Sequence, residues 1–337
     1  MNVLLTCVGR RNYIVDYFKQ ALGSEGKVYA ANSYGDAAGM VVADKAFVLP
    51  SIYHPGYVSN LLEICQTYDI RLLISLFDLE LPIIASNRQK FFDIGTFPLV
   101  SSSEVNDLCF DKRKSNEFCS DIGLNIPKSY FSLEETKTAI DNRDVDFPLV
   151  IKPRWGTGSI GLEYAFNSPE LFVYYDKVKR TIAGTYLMEI IGTDKAKDVI
   201  IQEKIEGVHY TVDIINDLEG RYQTCFIKHK IEMRAGEADR AELVSDERIT
   251  KLCKRIATSL KHIGNLDIDI IIKNNISYVI DLNPRIGGGY PFSHAAGANL
   301  PAALIAWIKG EEPKEEWLNI QAGVLAVKGI QMFVVNH

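Results

Sequence analysis

The residues best suited to chemistry lie in one stretch, Tyr278 to Tyr290, which reads Y-V-I-D-L-N-P-R-I-G-G-G-Y. Tyr278-Val279-Ile280 predicts a strand leaving a core. Asp281 and Asn283 follow at i and i+2, so they share one face of that strand. Both offer oxygen to a hard cation, and Pro284 ends the regular ladder. Arg285 adds a fixed positive charge with a planar fork of donors that suits phosphate or carboxylate. Gly287, Gly288 and Gly289 let a backbone come close to a ligand. Just upstream, Leu266 to Ile272 predicts a second strand in which Asp267 and Asp269 interrupt an apolar run. Asn274-Asn275 predicts the hairpin turn between the two. Antiparallel pairing would then bring Asp269, Asp281 and Asn283 together as a site for Mg²⁺ (or Mn²⁺), with nucleotide phosphates completing the shell. Taken singly, each acid is that of an ordinary hairpin with a solvated face; the whole string points to a site.

A second constellation lies in the middle of the chain. Phe147 to Pro153 predicts a strand that carries Lys152 near its end, and Arg154-Trp155-Gly156-Thr157-Gly158-Ser159-Ile160-Gly161 follows. Three glycines and two hydroxyls make a flap whose backbone N–H groups can wrap phosphate oxygens. The spacing is not that of a Walker loop.

The D-x-N-P-R string resembles the E-x-N-P-R signature of the ATP-grasp superfamily, with Asp281 in place of the usual Glu. The shorter side chain keeps the charge and draws back the reach by one methylene. With the partner acid upstream at Asp269, the pattern is most similar to the branch that holds carbamoyl-phosphate synthetase large subunits and biotin carboxylase. The resemblance implies an ATP-grasp fold of mixed α/β and α+β type. It comprises an N-terminal Rossmann-like parallel-sheet domain (residues 1–110), an ATP-grasp domain (111–310) with a lid subdomain at about 125–200 and an antiparallel grasp subdomain, and a C-terminal segment (311–337). It implies that Lys112 and Lys152 contact the nucleotide phosphates under the flap of Gly156, Thr157, Gly158 and Ser159. Gln202, Glu203, Lys204 and Ile205 resemble the hinge that holds adenine, and His209 stands where many ligases use Glu for the ribose. In the family, positions such as Lys228, Lys230 and Arg234 reach toward the γ-phosphate and acceptor, and Arg234 is expected ahead of either lysine, with Arg285 as a further catalytic residue.

Those residues need elements to carry them. Strands at Asn2–Cys7, Val28–Ala31, Ala46–Leu49, Leu72–Ser75 and Leu99-Val100 alternate with helices at 12–22, 57–68 and 82–92, which predicts a parallel, doubly wound sheet. Ligands on such sheets lie at the carboxyl ends of strands, where Arg10, Arg11, Asp78 and Glu80 are candidates for substrate contact. Arg10 and Arg11 serve equally well as partners of a helix end or of surface acids. Gly9 is alone in the first turn, so no dinucleotide fingerprint is present. Residues 246–263 predict an amphipathic helix with Leu252, Ile256, Leu260 and Ile263 on its apolar face. His294 is a candidate base or a packing residue, and Gly323 to Val335 reads as strand.

Composition narrows the class. The 337 residues are 47% hydrophobic and 24% charged, with net charge −6, as in a globular protein that lacks a basic stripe for nucleic acid. Six scattered cysteines form no C-x-x-C pair, which predicts reduced thiols and a cytoplasmic setting. No signal peptide or membrane span is expected. The ATP-grasp resemblance implies ATP-dependent joining of a small carboxylate to an amine through an acyl phosphate, with a homodimer as a family expectation. Two rivals are activation of bicarbonate, as in carbamoyl-phosphate synthetase or a carboxylase, and a nucleotide-binding regulatory protein without turnover.

Overall fold

The computed structural model describes residues 1–156, 160–184, 199–234 and 236–335. Its N-terminal part is built on apolar strands buried on both faces. β1 (Asn2–Thr6), β2 (Val28–Asn32), β3 (Lys45–Val48), β4 (Ile70–Ser75) and β5 (Phe97–Pro98) form a parallel sheet in the order β3-β2-β1-β4-β5. Continuous runs such as Val3-Leu4-Leu5 suit that double burial, because helices cover both faces of a parallel sheet. The order reverses at β1, so the loops after β1 and β4 open onto one crevice.

Two expectations change here. The single helix expected at 82–92 is two, Leu81–Ser86 and Arg88–Asp93. Asn87 breaks it: its backbone leaves the helical region, and its side-chain amide donates to the Ile83 carbonyl, the local competition that makes Asn a poor helix-interior residue. The last strand is Phe97–Pro98 rather than Leu99-Val100, since pairing with β4 runs through Leu72 and Leu73.

A smaller antiparallel sheet follows in the order β6-β9-β7-β8, from β6 (Ser129–Tyr130), β7 (Leu149–Pro153), β8 (Glu163–Ala165) and β9 (Val199–Glu203). The helix Ser168–Ala183 packs on it through Leu171, Tyr175, Val178 and Ile182. The third sheet is antiparallel as well. β10 (Val208–Asn216), β11 (Tyr222–Arg234), β12 (Glu237–Val244), β13 (Gly264–Lys273), β14 (Ile276–Asn283) and β15 (Leu325–Val327) take the order β14-β13-β10-β11-β12-β15. The fold class expected from the resemblance is the one observed.

Side-chain alternation gives that third sheet two unlike faces. Val212, Ile214, Ile227, Ile268 and Ile270 pack on one face against the helix Glu247–Leu260, together with its Ile249, Leu252, Ile256 and Leu260. Asp246 caps this helix by accepting from the Arg248 and Ile249 amides, and Lys261, in the left-handed region at φ 54°, ends it before Ile263. The other face carries the acids, lysines and His209. Of the strand expected at Gly323 to Val335, only Leu325–Val327 forms, paired with β12.

Candidate functional site

The hairpin places the central acids. Asn274 and Asn275 both have positive φ, at 50° and 63°, the conformation of a tight hairpin turn that asparagine tolerates. β13 and β14 pair with Asp269 opposite Asp281 and Asp267 opposite Asn283. A register shift after Asp269 leaves Ile280 as an extra residue, so that Val279 still faces Ile270 in the core while Asp281 stays on the polar face.

Each acid then finds a cation. Lys230 on β11 lies 2.7 Å from Asp269. Lys112, the first residue of the helix Lys112–Asp121, lies 3.6 Å from Asp281 and donates to the Gly156 carbonyl at 3.2 Å. Burial pushes the Asp269 carboxyl up from its ordinary value, with Asp267 and Asp281 adding to the rise and Lys230 opposing it. Burial works to lower Lys230, but Asp269, Asp267 and Asp281 outweigh it and the ammonium is held more firmly than usual. Lys152 is the opposite case. It is only 8% exposed on β7, and burial followed by Lys112 brings it down to about 8 against the pull of Asp281 and Asp269.

One ion pair clamps this corner. Arg154 meets Asp111 through two parallel contacts of 2.7 Å, the bidentate geometry that fixes orientation as well as charge. Asp111 also caps the Lys112 helix and bridges to Trp155, and the Lys112 amide donates to the Arg154 carbonyl. The helix start and the end of β7 thus hold Lys112 and Lys152 around a common space. Asp111 and Arg154 carry no motif; their proximity follows only from the packing of that helix against β7.

Arg285 is held from two sides, with Nε 3.0 Å from Asp78 and Nη1 3.0 Å from Asp267. Asp267 also accepts from Thr211 Oγ1 at 3.0 Å. The glycines after it lie directly on charged side chains. A Cβ at Gly287 would stand 2.3 Å from the Asp267 carboxyl carbon, and one at Gly288 would stand 2.7 Å from the Glu237 carboxylate. A narrow crevice of about 10 Å³ lies between Asp78 and Asp281, lined also by Asn106, Phe110, Gly156 and Asn283 among others.

The donor set fits a hard cation. The Asn283 amide nitrogen donates to the Asp267 carbonyl at 3.3 Å, which leaves its oxygen as a ligand atom beside the facing carboxylates of Asp269 and Asp281. Among the described residues no group of three or more His, Cys, Asp or Glu is placed to hold a metal. A metal here would therefore need phosphate oxygens, as Mg²⁺ commonly does.

The remaining expected residues divide. On β9 and just beyond it, Gln202 donates to Ser129 Oγ, Glu203 accepts from the Lys128 amide, Lys204 pairs with Glu206, and Ile205 is buried. These side-chain bonds fix the segment expected to hold adenine. His209 is half-buried on β10, and burial followed by Lys230 lowers it toward the neutral form. Gly156 lines the crevice, while Thr157, Gly158 and Ser159 lie outside the described residues. Arg234, expected ahead of the lysines, is 74% exposed at the end of β11 and pairs with Asp239 at 3.4 Å. It lies at the rim, whereas Lys230 lies among the acids. Lys228 is fully buried and ion-paired with Asp213, and Ser293 bonds both, so it is part of the scaffold.

Two other candidates also prove internal. Glu80 accepts from Thr6, Ser75 and Tyr57 hydroxyls at 2.7, 2.6 and 2.5 Å and is fully buried. Arg11 donates to the carbonyls of Leu76 and Ile286, linking the first sheet to the Arg285 loop, while Arg10 is exposed. His294 stacks on Tyr17 with centroids 3.6 Å apart and contacts the Tyr290 hydroxyl at 3.3 Å, a packing role. Among the described residues no helix is long and apolar enough to cross a membrane.

Comparison with known proteins bears on the family and the fold. Residues 109–289 match the family described as ATP-grasp domain, and residues 3–99 match the PylC-like N-terminal domain. The carbamoyl phosphate synthase large chain of Campylobacter jejuni is 24% identical over 216 residues, covering 61% of this chain and 18% of that protein. The chain thus spans about a fifth of the length of the curated relatives it matches. The biotin carboxylase domain of Hydrogenobacter thermophilus 2-oxoglutarate carboxylase, solved as a dimer with MgADP and bicarbonate, aligns with a TM-score of 0.74. Its identity is 15%, over 96% of this chain and 73% of that one. An L-amino acid ligase from Bacillus licheniformis aligns with a TM-score of 0.70 at 19% identity, over 93% and 76% of the two chains.

Proposed function

This chain belongs to the ATP-grasp family, and on that premise we propose that it is an ATP-dependent carboxylate–amine ligase. The observation that carries the reading is the face shared by Asp269 and Asp281, ringed by Lys112, Lys152, Lys230 and Arg285. Such a face is built for a triphosphate and a hard cation. Mg²⁺ would supply neutralisation of charge on the β- and γ-phosphates. Lys112 and Lys152 would bind the same phosphates from the lid side. Arg285 would meet the charge that develops during transfer, where fixed donors contribute most. The acid oxygen takes the γ-phosphoryl group and ADP leaves; the amine then attacks the acyl carbon and phosphate leaves. Holding the two substrates together supplies much of the rate. The segment Gln202–Ile205 would hold adenine and His209 the ribose. Arg234, at the rim, is left with entry of the acceptor.

Bicarbonate as the acid is a second reading, favoured by the carbamoyl phosphate synthase relatives. One experiment addresses both: ADP and phosphate release with Mg²⁺ against pooled small carboxylates and amines, bicarbonate with ammonia included, for the wild type and Asp281→Ala. Release that requires one acid with one amine and disappears in the variant supports the ligase. Tight ATP binding without release from any pool would favour a regulatory nucleotide binder instead.

A further inference from the structure

We infer that Asp78, in the loop after β4, is a positioning residue for Arg285, so that the N-terminal domain sets the geometry of a group on the ATP-grasp domain. The nature of the step it serves rests on the ligase reading; the contact does not.

The loop that carries Asp78 is clamped on both sides. Before it, the Ser75 hydroxyl accepts from the Phe77 amide at 3.2 Å. After it, Glu80 is tied to Thr6, Ser75 and Tyr57. Glu80 thus acts from the interior and fixes where Asp78 stands. The Asp78 side chain is itself only 9% exposed and faces Arg285 Nε at 3.0 Å.

Arg285 is fixed with equal care on its own side. Its carbonyl accepts from Asn265 Nδ2 at 2.9 Å. Nη1 meets Asp267, which Thr211 steadies. Two nitrogens of the guanidinium, Nε and Nη1, are therefore ion-paired with two carboxylates, one from each domain. A planar fork held at two edges cannot turn about its last bonds, which is what a preorganised donor requires. Arg11 reinforces the same boundary through Leu76 and Ile286. The acid and the triphosphate are both anions that a buried carboxylate repels, and toward the amine the Asp78 charge is already engaged by Arg285.

The test compares Asp78→Asn, which keeps the shape and removes the charge, with Asp78→Glu, which keeps the charge. Four quantities are measured on the full chain: kcat and KM for ATP with the best acid–amine pair, melting temperature, ATP affinity, and the Arg285 Nε–Hε NMR cross-peak, identified by its loss in Arg285→Lys. For Asp78→Asn, kcat is expected to fall about tenfold or more. KM for ATP should stay within about threefold, which marks an interaction made in the transition state. The cross-peak should shift or broaden. Asp78→Glu should recover part of kcat. A raised KM with unchanged kcat would overturn the inference in favour of a binding contact, as would an unmoved cross-peak, or a loss that merely follows the melting temperature. A wild type that turns over no acid–amine pair would sink the ligase reading, while the cross-peak would still decide whether Asp78 orients Arg285.

Discussion

Lys152 lets the electrostatics of the site be tested by pH alone. Burial and the neighbouring Lys112 lower its proton affinity from the ordinary lysine value of 10.5 to about 8. At about 1.4 kcal/mol per pH unit, the ammonium is roughly 3 kcal/mol harder to keep charged here than in water. A triphosphate restores the proton, because its charge offsets both causes. ATP affinity for the free protein should therefore be level below about pH 8. Above it, affinity should weaken by about tenfold per pH unit, as protonation of Lys152 becomes part of binding. A fluorescent ATP analogue titrated from about pH 6 to about pH 10 reads this directly. In Lys152→Arg the weakening limb should vanish, since a guanidinium stays charged throughout. Stability runs the other way. The folded-state affinity is the lowered one, so between about 8 and 10.5 the unfolded chain holds more protons. The destabilisation present below that window is relieved as pH rises through it. An ATP affinity that stays flat to about pH 10, or an equal limb in Lys152→Arg, would refute the placement of Lys152 against the phosphates.

Other outcomes follow from the same geometry. Asp281→Asn should abolish the gain in nucleotide affinity that Mg²⁺ gives, seen by calorimetry with and without metal, while metal-free binding stays close to wild type. Asp213→Ala strands a fully buried Lys228 and should cost about 3–5 kcal/mol in denaturant unfolding; the double variant Asp213→Ala/Lys228→Met should recover part of it. Gly287→Ala places a methyl 2.3 Å from the Asp267 carboxyl carbon, so turnover should fall by at least tenfold as Arg285 loses its support, with the melting temperature reporting any wider damage. Arg234→Ala should leave ATP affinity within about twofold, since the side chain is solvated and screened; a large loss would move it from the rim to the nucleotide.

Much of the site was legible because it is local. The period of a strand puts Asp281 and Asn283 on one face, and two asparagines turn the chain into a hairpin, but regular pairing from that turn would set Asp269 opposite Ile280; the register shift that sets it opposite Asp281 was not legible. The β/α alternation and the D-x-N-P-R string likewise needed only neighbours in sequence. What only the tertiary structure decided was the partner of each charge. Lys228, Lys230 and Arg234 all lie on β11 and differ little as a string, yet one is sealed against Asp213, one meets Asp269 and one reaches solvent. Asp78 and Glu80, two residues apart, face an arginine on another domain and a buried ring of hydroxyls. Asp111 and Arg154 meet only because the helix start docks on β7. The energy of a charge depends on its burial and on the nearest opposite charge. Both are set by chain segments tens to hundreds of residues away, which no local pattern encodes.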